Sequence, residues 1–279
     1  MKILVVGHNG LLGQELMDQL LPLGQVIGVD VDTCDITCPE EIVTVLDEVK
    51  PDWVINSAAY TDVDSCEANP ETAWEVNAKG AGNLARACLD RKITIVQLST
   101  DFIFDGRKGS EYIETDNPAP LNVYGESKLG GERNVIKAEG RYIIVRTAWL
   151  FGKGGKNFPD TILKAGRSNN SLRVVSDQIG SPTYAVDLAG AIGELIQNDA
   201  YGIVHVANGG YCSWAEYARY ILKLSGIETE VIPITTEELA RPAARPGFSV
   251  LSMVKYEEIT GKKMRPWQDA VRAYIGERK

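Results

Sequence analysis

The stretch Lys2-Ile3-Leu4-Val5-Val6-Gly7-His8-Asn9-Gly10-Leu11-Leu12-Gly13 decides the fold. Its first part is continuous in apolar residues, as a strand covered on both faces of a parallel sheet requires. Glycines at 7, 10 and 13 follow, and Gln14 to Leu21 carries helical periodicity. The glycines let backbone approach a pyrophosphate, and the helix N-terminus supplies amide donors and a partial positive charge. A second apolar run, Val26-Ile27-Gly28-Val29, ends at Asp30, an acidic residue placed to bind adenosine ribose hydroxyls. A glycine pattern by itself often marks only a tight turn. With the strand, the helix and Asp30 in sequence, a dinucleotide site is the better reading.

Outward from there, strand and helix patterns alternate. Asp35 either caps the helix opening at Pro39 or contacts adenine. Asp52 to Asn56 reads as a third strand running into the small residues Ser57-Ala58-Ala59, which allow a cofactor to lie close. Asn69-Pro70 starts a helix that runs toward Arg91, Thr94 to Leu98 is a fourth strand, and Tyr142 to Arg146 a fifth. This order implies an α/β fold with a doubly wound parallel sheet, Rossmann-like, and a smaller α/β substrate-binding lobe. The dinucleotide-binding domain is expected over 1–147 and 174–208, and the smaller lobe over 148–173 and 209–279. In the second half, Leu172 to Val175 and Ile203 to Val206 read as strands, Tyr184 to Ile196 as a helix, and Ser213-Trp214-Ala215-Glu216 as a capping box. Arg241 to Gly247 cannot be regular structure; it reads equally as an anion-gripping loop or a solvated one.

The chemistry lies between Leu98 and Lys128. Ser99-Thr100-Asp101 follows the fourth strand, and Tyr124-Gly125-Glu126-Ser127-Lys128 opens a helix. Residues four apart share a helical face. A phenol of pKa about 10 is a poor donor near neutrality, and an ammonium one turn away is expected to lower that value. Thr100, at a strand end, could bind the carbonyl oxygen that Tyr124 would protonate. Together they suit ketone reduction or alcohol oxidation beside a hydride carrier, although Tyr-x-x-x-Lys alone is also what a surface helix pair looks like.

Composition narrows the partners. The net charge is −9 with no basic block, which argues against nucleic acid. No apolar stretch approaches a membrane span. The four-residue apolar run after Lys2 is too short for a signal segment. Cys34, Cys38, Cys66, Cys88 and Cys212 lack zinc-ligand spacing and read as reduced thiols of a cytoplasmic protein.

Taken together, these residues resemble the extended short-chain dehydrogenase/reductase superfamily and, within it, the dTDP-4-dehydrorhamnose reductases over essentially the whole chain. The most specific matches are Arg146-Thr147-Ala148-Trp149, Asp177-Gln178-Ile179-Gly180-Ser181-Pro182-Thr183 and Ala244-Arg245-Pro246. The resemblance implies reduction of the 4-keto group of dTDP-4-dehydro-6-deoxy-L-mannose to dTDP-L-rhamnose with NADH or NADPH. Tyr124 would be the general acid, Lys128 its electrostatic partner and a ribose ligand, and Thr100 would orient the carbonyl. Gly10, Leu11, Leu12, Asp30, Asp35, Ile36, Ala59, Tyr60, Thr61, Tyr124 and Lys128 match cofactor positions. Thr100, Asp101 and Trp149 match sugar-nucleotide positions, with Asn157 and Arg245 as further substrate candidates. Trp149 reads as a stacking face, or as a packed core aromatic.

A divalent cation such as Mg near a dimer interface is also linked to the family, but no carboxylate set maps here and no metal residue is assigned. A homodimer is the commonest closed assembly. Two departures stand out. Phe102-Ile103 replaces the commoner Tyr-Val after Asp101, and Gly247-Phe248 precedes Ser249 where an Asn is expected. The rivals are a nucleotide-sugar dehydratase or epimerase and a regulatory subunit of the methionine adenosyltransferase type. Phe102 in place of an acid disfavours dehydration, and the intact Thr100, Tyr124 and Lys128 favour catalysis over a purely regulatory role.

Overall fold

A computed structural model describes residues 1–277. Its centre is a six-stranded sheet. The strands are β1 (Lys2–Val6), β2 (Gln25–Val29), β3 (Trp53–Asn56), β4 (Thr94–Thr100), β5 (Tyr142–Thr147) and β6 (Gly202–His205). Their order is β6-β5-β4-β3-β1-β2, and every pairing is parallel.

Successive residues of a strand point to opposite faces, and the core divides accordingly. Ile3, Val5, Ile55, Val96, Leu98, Ile143 and Val145 pack on one face with the helices Leu11–Gln19 and Ala185–Gln197. Leu4, Val6, Val54, Ile95 and Ile144 pack on the other with Pro39–Val49, Ala81–Asp90 and Val123–Lys137. Helices therefore cover both faces, which is why the strands read as unbroken apolar runs. The chain reverses direction across the sheet at β1, with β2 on one side and β3 on the other. Ligands of open α/β sheets bind in the crevice beyond the strand ends at such a reversal.

The smaller lobe is built from the helices Phe158–Ser168, Trp214–Leu224 and Trp267–Gly276 around a core holding Phe151, Tyr217, Trp267 and Tyr274. A two-stranded parallel ribbon, Ser171–Val175 with Glu230–Ile234, flanks them. The capping box at Ser213 is formed from both sides, and Arg241 to Gly247 contains no helix or strand.

The chain crosses between lobes at different residues from those expected. Val174 and Val175 pair within the ribbon, so the smaller lobe extends past 173. Tyr256, on the helix Val254–Thr260, packs into the core under the sheet, so that part of 209–279 returns to the larger lobe. Positions 278–279 lie outside the described residues. No helix among the described residues is long and apolar enough to cross a membrane.

Candidate active site

The nucleotide cleft begins at Gly7, whose φ of +82° is open to glycine at little cost. At Gly13 a Cβ would stand 2.2 Å from the Gly7 carbonyl oxygen and 2.6 Å from the His8 Cα. The turn closes only because that carbon is missing. Gly10 caps the helix Leu11–Gln19 without a side-chain hydrogen bond, and no acidic residue occupies the first turn. The amides of Leu11, Leu12 and Gly13 thus have no side chain competing for them, an arrangement that fits a pyrophosphate. Leu12 is itself buried in the core and can offer only its backbone, while Leu11 packs at the edge of that core.

Gly13→Ala is expected to cost about 1–3 kcal/mol of stability by overpacking and to weaken dinucleotide binding. Thermal unfolding and a nucleotide fluorescence titration check this. Unchanged values in both would mean that the turn does not need its glycine.

Asp30 directly follows β2, with one carboxylate oxygen accepting from the Asn9 amide and the other from the Val31 amide, each at 2.9 Å. It is fixed at the mouth of the glycine turn, where a ribose would lie. Asp35 accepts from the Thr37 amide and hydroxyl, both at 2.8 Å. It therefore orders the turn before the helix Pro39–Val49; the N-cap position itself is Cys38. Ile36 is buried against Gly80, where a Cβ would meet it at 2.7 Å. Ala59 and Tyr60 line the end of β3 half-buried, and Thr61 is exposed.

Tyr124 and Lys128 lie in the helix Val123–Lys137, capped by Asn122, whose Oδ1 accepts from the Gly125 amide at 2.8 Å. Thr100 is the last residue of β4, so helix and strand end bring the three together. The Thr100 hydroxyl accepts from the Phe102 amide at 3.2 Å, and the Phe102 ring meets the Tyr124 ring edge-on at 5.7 Å. Lys128 is buried, and its ammonium donates to the Leu98 carbonyl at 2.7 Å. The expected lowering of Tyr124 by Lys128 does not occur in this structure. Burial pushes the phenol well above its ordinary value, the Thr100 hydroxyl works in the opposite direction, and Asp101 adds to the rise. Burial also lowers Lys128 to about 8, while the Glu132 carboxylate holds it up. Tyr124 is consequently a protonated donor throughout the neutral range, the state that reduction requires.

Beside this group, under the smaller lobe, opens a cavity of about 490 Å³ lined by Phe102, Trp149, Trp214, Arg241, Arg245 and Ser249, among others. Trp149 carries φ +46°, uncommon for a bulky residue, and stacks on Trp214 with centroids 3.5 Å apart at 6°. Its core and site readings thus meet: one face is packed, and the ring lines the cavity. Arg245 also lines the cavity, but it pairs with Asp64 at 2.9 Å, as does Arg241. Burial opposes charge on Asp64, but the two guanidiniums and the Ala243 amide outweigh it and hold the carboxyl below its usual range.

Two substrate candidates are engaged by the protein's own groups. Asn157 does not line the cavity; it caps the helix Phe158–Ser168 and donates to the Gly152 carbonyl at 2.8 Å. Asp101 is 1% exposed, with one oxygen taking the Thr100 hydroxyl at 3.1 Å and the other the Ser249 hydroxyl at 2.5 Å.

Sequence reasoning missed Asn77. It lies in a π-helical turn, Glu75–Gly80, inside the long helical run, of the kind often found at functional sites. Its side chain accepts from the Tyr60 amide at 2.8 Å and donates to the Tyr60 carbonyl and the Ser127 hydroxyl, each at 3.0 Å. It ties the cofactor-side loop to the Tyr124 helix. That helix approaches closely because Gly131 lacks a Cβ, which would stand 2.3 Å from the Asn77 carbonyl oxygen. An Asn in a helical pattern gives no local sign of such a role. Among the described residues, no group of three or more His, Cys, Asp or Glu side chains converges as a metal site.

A family model described as the RmlD substrate binding domain matches residues 1–279. The spore coat polysaccharide biosynthesis protein SpsK of Bacillus subtilis is 41% identical over 99% of this chain and 98% of its own length. A crystal structure of a dTDP-4-dehydrorhamnose reductase from Clostridium acetobutylicum is 42% identical with a TM-score of 0.96, covering 99% of both chains. A dTDP-4-dehydrorhamnose reductase from Bacillus anthracis, solved in complex with NADP, is 38% identical with the same TM-score and coverage.

Proposed function

This chain belongs to the RmlD substrate binding domain family, and from that premise we propose that it is an NAD(P)H-dependent dTDP-4-dehydrorhamnose reductase. It would reduce the 4-keto group of dTDP-4-dehydro-6-deoxy-L-mannose to give dTDP-L-rhamnose, a precursor for rhamnose-containing polysaccharide. The observation that carries this reading is the position of Thr100, Tyr124 and Lys128. They stand between a glycine turn suited to a pyrophosphate and a Trp149-lined cavity roomy enough for a sugar nucleotide.

The backbone of Gly10 to Leu12 would hold the cofactor's pyrophosphate, Asp30 its adenosine ribose, and Lys128 its nicotinamide ribose. When bound, the cofactor supplies a hydride. The chain supplies the rest. Tyr124 gives its proton to the carbonyl oxygen as that oxygen becomes an alkoxide, Thr100 orients the oxygen, and the Lys128 ammonium stabilises the phenolate left behind. The half-buried Trp149 and Phe102 present ring faces and edges to the sugar nucleotide.

Product analysis tests the assignment. Incubation with dTDP-4-dehydrorhamnose and NAD(P)H should yield dTDP-L-rhamnose with equimolar loss of the reduced cofactor. An isomerised keto sugar without net cofactor loss would make the chain an epimerase. Cofactor binding with no turnover would favour the regulatory role.

Asp30 favours NADH, because a 2′-phosphate would meet a carboxylate already held in place by two amides. The KM for NADH is expected to be lower than that for NADPH, and the reverse order overturns this. Assembly as a homodimer in the cytoplasm completes the reading, and sedimentation checks the assembly.

A further inference from the structure

We propose that His8 is a specificity-determining residue of the dinucleotide site. Its protonated ring offsets the Asp30 carboxylate and admits the 2′-phosphate of NADPH, so that the choice between NADH and NADPH turns with pH. The proposal rests on the reductase reading above and deepens it.

Asp30 is not free to swing away from a 2′-phosphate. Turning it out would leave the Asn9 and Val31 amides without their acceptor. Among the described residues no Lys or Arg pairs with Asp30; its one ionic neighbour is His8, whose Nδ1 stands 3.9 Å from the Asp30 Oδ2. That separation is too long for a hydrogen bond and short enough for a charge to act across it. The Nδ1 atom is shielded from solvent and has no hydrogen-bond partner among the described residues. The ring reaches this place because residue 28 has no side chain: a Cβ at Gly28 would stand 2.6 Å from the His8 Cγ and 2.8 Å from its Cδ2. The backbone beneath is held too, since the amides of Gly7 and His8 both donate to the Val29 carbonyl, at 2.9 and 3.2 Å.

Imidazole is the side chain whose ordinary change of charge falls between about pH 5 and 8. A neutral His8 leaves the Asp30 charge bare, and a 2′-phosphate brought to the ribose position meets repulsion. A protonated His8 cancels that charge at a fixed distance, and the repulsion goes. The ionisable groups on the surrounding elements do not supply this themselves. β2 and the segment Ser57-Ala58 against Gly7 contribute none, the turn after β2 contributes Asp30, Asp32 and Cys34, and the helix Leu11–Gln19 contributes Glu15 and Asp18. None of these is a cation. The preference for NADH that Asp30 brings is therefore strongest when His8 is neutral.

Two binding readouts test this without turnover. The chain has two histidines, His8 and the buried His205, so proton NMR can follow the His8 ring by itself. Its titration midpoint should move to higher pH with NADPH and by less with NADH, because protonation and binding are linked in both directions. This readout needs no variant. In a fluorescence titration, the affinity for NADPH relative to NADH is compared between wild type and His8→Gln at the same pH, since a phosphate monoester itself takes up a proton at about pH 6. The relative affinity should be about fivefold higher in wild type at about pH 6, the factor that unit charges about 4 Å apart contribute in bulk water, and equal in the two at about pH 8. His8→Lys, whose charge is fixed, should keep the higher value at both. A midpoint that moves equally with either dinucleotide, or a relative affinity indifferent to His8→Gln at both pH values, would overturn the proposal. Binding of neither dinucleotide would remove the cofactor reading and the proposal with it. Binding of both without reduction of the sugar would remove the reductase assignment alone, and the NMR titration would still decide the role of His8.

Discussion

Tyr124→Phe is expected to lower kcat by about 10²- to 10⁴-fold, the usual worth of a positioned general acid, with little change in NAD(P)H affinity. The phenol is the group positioned beside Thr100 as a proton donor, and burial keeps it protonated. The substitution removes the hydroxyl and leaves the ring, which packs edge-on against Phe102 at 5.7 Å, so the helix keeps its place. The glycine turn and Asp30 are built from other elements and should bind the dinucleotide as before. Steady-state rates and a fluorescence titration separate these effects. Near-wild-type turnover would take Tyr124 out of the mechanism.

Arg146→Ala should destabilise the fold by about 3–5 kcal/mol, because it leaves a buried charge without its partner. Arg146 and Glu132 are each 2% exposed and meet through two hydrogen bonds, Nε to Oε1 at 2.9 Å and Nη2 to Oε2 at 2.8 Å. Ser99 donates to the same Oε1 at 2.5 Å. Since Glu132 also supports the charge on Lys128, the pair joins the catalytic helix to β5. Denaturant midpoints should show the double variant Arg146→Met, Glu132→Leu losing less than Arg146→Ala, since a well-packed apolar pair leaves no orphaned charge. Equal losses would contradict the ion-pair account.

His205 adds a pH dependence to this core. Burial, then the charge of Arg146, lowers His205 to about 3, and its Nδ1 lies 3.1 Å from the Tyr112 carbonyl oxygen. The folded chain keeps the ring neutral while the unfolded chain protonates it near its ordinary value of about 6.5. Stability from this group is present above that value and is lost as pH falls toward about 3.

The parts of the site legible in the sequence were those written in local signals. The apolar run of β1, the glycines after it, Asp30 at the end of β2, and Tyr124 one turn from Lys128 each depend on neighbours a few residues away. What escaped depends on distant partners. Asp101 reads as a substrate ligand, and its contact with Ser249, 148 residues later, leaves no local sign. Asn157 reads as a substrate candidate, and its amide's contact with the Tyr274 hydroxyl, 117 residues later, at 3.2 Å, is equally unsigned. The effect of Lys128 on Tyr124 could not be judged from spacing, because burial of the phenol outweighs the spacing argument. The strand Glu230–Ile234 also went unread, since its pairing with Ser171–Val175 is a contact between segments far apart in the chain.

The most direct test of the central claim follows an isotope. The reaction is run with dTDP-4-dehydrorhamnose and NAD(P)H carrying deuterium at the transferable position of the nicotinamide, and the product sugar is examined by NMR. Reduction at the keto carbon predicts deuterium at C4 of dTDP-L-rhamnose, with no labelled product from Tyr124→Phe on the same timescale. Deuterium retained in the cofactor, or a product altered at another carbon, would contradict it.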